Sequence, residues 1–216
     1  YESFEFHNAY HAIHNFCVVD MSNFYLDVLK DRLYVEKTNS ETRRAAHTAM
    51  YTILDGMTRL VSPILAFTSD EIWHSMPHDS NADAECVLYN DLPTSTGVNV
   101  DEEFIAKWDK IHKIRNDVKK ALEIARKNKI IGASLDAKVQ LFCTGELFDF
   151  VKSVENELTT AFIVSQVEVI NDGKGEFEGE ELPELSVTVS HADGVKCARC
   201  WSYSDTVGND SEYSDV

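Results

Sequence analysis

Two thiols stand three positions apart in Cys197-Ala198-Arg199-Cys200-Trp201. A C-x-x-C pair puts two soft ligands on one tight turn, and tetrahedral zinc takes four such ligands. A second C-x-x-C usually follows about 15–20 residues later. No Cys or His lies between Cys200 and Val216, sixteen residues on. The pair is therefore expected to be half of a zinc knuckle, Cys197 and Cys200 supplying two of four Zn2+ ligands. The 216 residues are then expected to be part of a longer protein. The same spacing also suits a redox-active dithiol in a helical protein-interaction module.

Other chemistry has no visible carrier. The sequence contains no G-x-x-x-x-G-K-[ST] phosphate loop, no G-x-G-x-x-G and no G-x-S-x-G elbow. His7, His11 and His14 are spaced like one helix face, but the glutamate of a metalloprotease helix is missing. His74 and His78 have no third ligand in sight. Asp70-Glu71 is a carboxylate pair that a capping role explains, and adjacent residues on a helix do not face each other. No nucleophile, acid–base pair or cofactor site is found, so these residues alone are not expected to catalyse a reaction.

The second candidate for chemistry is a run of charge. Between residues 105 and 129 stand Lys107, Lys110, Lys113, Arg115, Lys119, Lys120, Arg126, Lys127 and Lys129, opposed only by Asp109, Asp117 and Glu123. The formal charge of the whole chain is −17. A basic rod on an acidic body can hold a polyanion locally while the bulk charge limits non-specific binding. Lys113, Lys119, Lys120 and Arg126 are the candidates for contact with such a polyanion. A solvated helix face would carry the same charges.

The elements that must position these groups follow from periodicity. Steps of three and four through Phe6, Tyr10, Ile13, Phe16 and Cys17 predict a helix over 3–19, and Ser22 is the expected cap of a second helix ending near Leu33. Thr38-Asn39-Ser40-Glu41 reads as a capping box opening a long helix to Val61. Thr68-Ser69-Asp70-Glu71 reads as another, opening a short helix that ends before Pro77. Residues 77–100, with Pro77, Pro93 and Gly97, read as a loop. A long helix follows to Lys129, with Ile105, Trp108, Ile111, Val118, Leu122 and Ala125 as its apolar stripe. Strands are expected at 137–143, 167–170 and 185–189, a helix at 148–158, and an acidic, Gly-rich linker or mobile hairpin at 171–184. The expected fold is mainly α: a helical bundle over 1–130 that includes the basic helix 101–129, a small α+β unit over 131–190, and a partial knuckle over 191–216.

Hydrophobic residues make up 44% of the chain, enough to fold, and no apolar run is long enough to span a membrane. No export signal is visible. Five cysteines, an odd number at scattered positions, do not resemble a disulfide framework and favour a reducing cytoplasm.

Four stretches together resemble one family. Asp20-Met21-Ser22-Asn23-Phe24-Tyr25-Leu26-Asp27, running on to Lys30-Asp31-Arg32-Leu33-Tyr34, is similar to the opening of the helical anticodon-binding domain of bacterial-type isoleucyl-tRNA synthetases. Ser62-Pro63-Ile64-Leu65-Ala66-Phe67-Thr68-Ser69-Asp70-Glu71-Ile72-Trp73 resembles that domain's second signature, which valyl and leucyl enzymes share. Arg115 to Arg126, continuing into Ile131-Gly132-Ala133-Ser134-Leu135-Asp136-Ala137, resembles the isoleucyl enzyme's long helix and following strand. Lys196 to Trp201 resembles its C-terminal zinc knuckle, with Ala198 where the family has Pro.

The resemblance implies a class I ligase that charges isoleucine tRNA through an ATP-derived adenylate and edits mischarged valine. The H-I-G-H and K-M-S-K-S motifs of its catalytic domain are absent from these residues. The part present would be the RNA-reading end. Its partners would be the anticodon stem-loop and the rest of a monomeric, cytoplasmic synthetase chain. The family's knuckle Arg and Trp, which lie beside the anticodon, map onto Arg199 and Trp201. Both residue types suit that role, because unstacked loop bases stack on aromatic rings and guanidinium planes.

Overall fold

The computed structural model describes residues 1–95 and 100–216. The chain divides into two compact units, Tyr1–Asn99 and Val100–Val216. It is mainly α with a small α+β part.

The first unit is helical. Helix α1 (Phe6–Asn15) runs without a break into a wider-wound stretch, Phe16–Tyr25, and on through the short helices α2 (Leu26–Val28) and α3 (Lys30–Tyr34). Ser22 lies inside this continuous run rather than capping a new helix. Ser40 caps α4 (Glu41–Val61), its hydroxyl accepting the Arg43 N–H at 3.3 Å. Helix α5 (Ala66–His74) begins two residues before the expected box, so Thr68 and Ser69 are helical and the Asp70 carboxylate is not a cap. Asp70 instead accepts the N–H of Val87, 17 residues away, at 3.1 Å. Trp73 fills the centre of this unit, fully buried, with its indole N–H on the Asp83 carbonyl at 2.9 Å and its ring 4.3 Å from that of His78. Gly97, read as part of the 77–100 loop, lies outside the described residues.

The second unit is built on a four-stranded sheet of order β2-β1-β4-β3, made of β1 (Ala137–Cys143), β2 (Gln166–Asn171), β3 (Phe177–Glu178) and β4 (Ser186–His191). Strands β1 and β2 are parallel, and the crossover between them carries α7 (Gly145–Ser153) and α8 (Glu155–Phe162). Strand β4 pairs antiparallel with β1, setting Val139 opposite Val189 and Leu141 opposite Val187. The helix expected at 148–158 is two helices, broken at Val154, which takes a non-helical conformation.

Helix α6 (Glu102–Lys127) opens at Asp101, whose carboxylate accepts the Phe104 N–H at 2.7 Å. It ends with the Ile130 N–H on the Ala125 carbonyl and Lys129 in the left-handed region. Ile111, Ile114, Val118, Ala121, Leu122 and Ala125 are buried in one core with Val139, Leu141, Leu158 and Val187. That packing places the helix in the second unit, whereas its place in the sequence pattern suggests the bundle. The stripe is fully buried from Ile111 onward, Trp108 packs against the same core while partly exposed, and Ile105 is half exposed.

Asp117 interrupts the apolar stripe and is completely buried. Its carboxylate accepts three backbone N–H groups, from Glu180 at 2.9 Å, Glu181 at 3.1 Å and Leu182 at 3.0 Å. The acidic segment expected to be a linker or mobile hairpin is therefore an arm pinned to α6. Gly179 is required by the close approach: a Cβ there would collide with the Leu182 carbonyl and lie 2.7 Å from Asp117 Oδ2. Removing the acceptor would strand three donors. Asp117→Ala is expected to cost about 3 kcal/mol of stability in urea denaturation, within the range for a buried network. A cost under about 1 kcal/mol would show that water replaces the carboxylate.

Candidate nucleic-acid interface

Burial of one side of α6 turns its other side to solvent. Lys113, Lys119 and Lys127 are exposed there and have no side-chain partner among the described residues. Lys120 lies on the same side but holds the Glu180 carboxylate at 2.7 Å, and Asn116 donates to Glu181 at 3.0 Å. Arg126 is exposed yet reaches back, with Nε 3.3 Å from the Gly132 carbonyl and a terminal nitrogen 3.2 Å from Ser134 Oγ. Other members of the basic run are structural. Arg115 is buried, its Nε donating to the Ala161 carbonyl at 2.9 Å. Lys107 pairs with Glu157 at 2.7 Å, and Lys110 sits 4.3 Å above the Phe150 ring.

The cysteine pair lies in the same unit. A two-stranded ribbon of β5 (Val195–Lys196) and β6 (Tyr203–Ser204) brackets it. The turn closes by the Trp201 N–H on the Cys197 carbonyl and the Cys197 N–H on the Ser202 carbonyl, both at 2.9 Å. Trp201 takes φ of +67°, a conformation that costs a non-glycine residue about 1 kcal/mol. Its indole is 63% exposed. Arg199 is also exposed, two residues away on the turn.

Both thiols are free, Cys197 buried and Cys200 partly exposed. The backbone N–H groups of Cys200 and Arg199 aim at the Cys197 sulfur and hold its thiol below the usual range, against burial and the Asp215 charge. Amides pointing at sulfur stabilise a thiolate, the form that binds zinc. The segment after the turn comes back to it, where the Ala198 N–H meets the Asp215 carbonyl at 2.8 Å. Cys197 and Cys200 thus fit one half of a zinc knuckle. Among the described residues no group of three or more His, Cys, Asp or Glu comes together to hold a metal.

Residues without a sequence signal tie the turn to the sheet. Ser165 Oγ donates to the Leu135 carbonyl and accepts the Tyr203 N–H at 2.7 Å. Asp136 accepts the N–H groups of Ala133 at 2.7 Å and Gly132 at 3.2 Å, and Lys196 Nζ lies 3.4 Å away. The Lys196 ammonium is in turn 5.7 Å from the Tyr203 ring centre. Of His7, His11 and His14, the last two lie against Tyr10 on α1, with ring centres 5.2 Å and 5.7 Å from it.

Comparison with known proteins adds to this geometry. Residues 1–141 match the family described as the anticodon-binding domain of tRNA ligase. The chain is 49% identical over 214 residues to the isoleucine–tRNA ligase of Syntrophotalea carbinolica, covering 99% of this chain and 23% of that protein. It is 48% identical over 219 residues to that of Desulforamulus reducens and 49% identical over 218 residues to that of Carboxydothermus hydrogenoformans, covering the whole chain and 23% of each relative. The chain thus spans about a quarter of the length of the curated relatives it matches. No helix among the described residues is long and apolar enough to cross a membrane.

The anchor at Asp136 has a pH signature. The Ala133 amide is the main cause holding its carboxyl below the usual carboxylate range, with Lys196 and Gly132 adding to it. A depressed folded-state pKa contributes stability above the ordinary value of about 4 and loses it as pH falls through the folded value. Asp136→Asn is expected to cost about 1–2 kcal/mol at pH 7. Its urea curve should converge on that of the unsubstituted chain as pH falls below about 4. A difference that persists at the acid end would contradict this.

Proposed function

The chain belongs to the anticodon-binding domain family of tRNA ligases, and we propose from that premise that it is the RNA-gripping part of an isoleucine–tRNA ligase. The observation that carries the reading is the pairing, within one folded unit, of a basic helix face with a turn that exposes Arg199 and a strained Trp201. Phosphate contacts position an RNA, and base contacts specify it. Lys113, Lys119 and Lys127 supply the first kind, Arg126 joins them where an RNA phosphate replaces its present partners, and Lys120 stays paired with Glu180. Arg199 and Trp201 supply the second, offering a guanidinium plane and an indole to unstacked anticodon bases.

Zinc, when bound, would be held by Cys197 and Cys200 with ligands from outside these residues, and would supply rigidity rather than reactivity. The turn's own amide bonds orient Trp201, and the Cys200 and Arg199 amides hold the Cys197 thiol below its usual range. Isoleucine activation with ATP and transfer to the tRNA belong to parts of the ligase that these residues do not include. The whole enzyme acts as a monomer in the cytoplasm, and its cognate partner is isoleucine tRNA. A dithiol interaction module is not favoured, because the family match and the basic face have no place in it.

Two substitutions separate reading from positioning. Trp201→Ala in the complete ligase should weaken isoleucine tRNA binding by about 1–3 kcal/mol, with isoleucine-dependent adenylate formation unchanged. Loss of adenylate formation instead would make Trp201 a structural residue. Replacing Lys113, Lys119 and Lys127 together with alanine should weaken binding of cognate and non-cognate tRNA alike. It should also flatten the dependence of log affinity on log salt by about three. An unchanged salt dependence would remove the helix face from the interface.

A further inference from the structure

The most populated basic face of the second unit is partly covered by acid. Glu180 Oε2 sits 2.7 Å from Lys120 Nζ, and Glu181 Oε1 sits 3.0 Å from Asn116 Nδ2, one turn earlier on the same face of α6. An exposed ion pair by itself yields readily to a competing anion. This one is mounted differently. The backbone of residues 180–182 is bolted to the buried Asp117 through three N–H bonds, and Gly179 lets the chain approach closely enough to make them. The two glutamates therefore stay over α6 even when Lys120 releases its partner. Both side chains are exposed, so neither is held there by packing. The charges of Glu180, Asp117 and Glu181 all act on Lys120 and favour its protonated form.

We propose that Glu180 and Glu181 are selectivity residues: a fixed acidic arm that withholds Lys120 and the α6 surface around it from RNA phosphates. The inference rests on the reading of α6 as an RNA face. A phosphate approaching Lys120 must displace Glu180 and then remain beside two carboxylates, well inside a Debye length of about 8 Å. Lys113, Lys119 and Lys127 keep their access. Backbone contacts add affinity for every RNA equally, whereas base contacts add it only for the right one. Holding back one backbone contact lowers the affinity for all RNAs together. Only an RNA that also satisfies Arg199 and Trp201 then stays bound at low concentration. The arm is thus a threshold that makes the base contacts decisive in a solution crowded with other RNA.

The experiment uses Glu180→Gln/Glu181→Gln, which removes two charges and leaves the backbone bonds to Asp117 intact. Binding is measured by fluorescence anisotropy across a salt series. The probes are isoleucine tRNA, a non-cognate tRNA and poly(U). The double variant should bind all three about three- to tenfold more tightly, with the salt slope steeper by about one. Lys120→Ala should leave the slope unchanged in the original chain and reduce it by about one in the double variant. Unchanged affinities and slopes in the double variant would overturn the inference, while a preference of the original chain for isoleucine tRNA would leave the proposed function standing. Tighter poly(U) binding in the double variant with no tRNA preference in either protein would keep the acidic arm and refute the anticodon-reading role. A Lys120→Ala effect already present in the original chain would also overturn the inference, because Lys120 would then be in use.

Discussion

The second unit depends on the burial of one face of α6 against the β1–β4 sheet. Six apolar side chains from Ile111 to Ala125 fill that contact, and each is almost wholly removed from water. Burying such side chains contributes roughly 1–3 kcal/mol apiece for the larger ones. Nothing else in the unit fixes the rotation of the helix so firmly. Once that rotation is set, the positions between the stripe residues have no choice of direction. Lys113, Lys119 and Lys127 must face water, while the buried Arg115 and Asp117 must find partners inside the protein.

The same sheet governs the cysteine turn. Strand β4 leads directly into the ribbon that carries it, and Ser165, at the start of β2, clasps the returning strand at Tyr203. Asp136 does the same from the start of β1 through Lys196. The turn is therefore attached to the sheet by polar bonds rather than by a core of its own. Small folds with so little to bury depend on staples, and a metal is one of the usual ones. The strained backbone at Trp201 is tolerable only while the surrounding bonds hold the turn closed.

Much of this was legible in the sequence and some was not. The alternation from Ala137 to Cys143 and the capping serine before α4 follow from local chemistry, so the order of residues is enough to find them. The stripe of α6 gave its buried face correctly from Ile111 onward. Its allegiance to the sheet was hidden, because periodicity reports that a face is buried and not against what. Ser22 and Thr68 have the right types for caps, yet neighbouring helical turns prevail over their preference. A hairpin was one of two readings of the acidic run, but the pinning of its arm at 179–182 was invisible for a different reason. Its stability comes from a carboxylate more than sixty residues away, and an aspartate within an apolar stripe gives no sign of its partner. At the interface, the residue types of Arg199 and Trp201 were readable. The commitment of Lys120 to Glu180 and of Arg126 to Gly132 and Ser134 depended on tertiary geometry.

The proposed division of labour, a helix to hold phosphates and a turn to meet bases, makes one demand on the RNA. Affinity must depend on the anticodon itself and not only on the charge of the tRNA. The most direct test is the affinity of the complete ligase for an isoleucine tRNA transcript and for the same transcript carrying a different anticodon, at matched salt. A loss of at least about tenfold on changing the anticodon is the expected result, in line with base contacts worth 1–3 kcal/mol each. Equal affinity for the two transcripts would contradict it, and would leave the basic face as a general holder of RNA with no reader beside it.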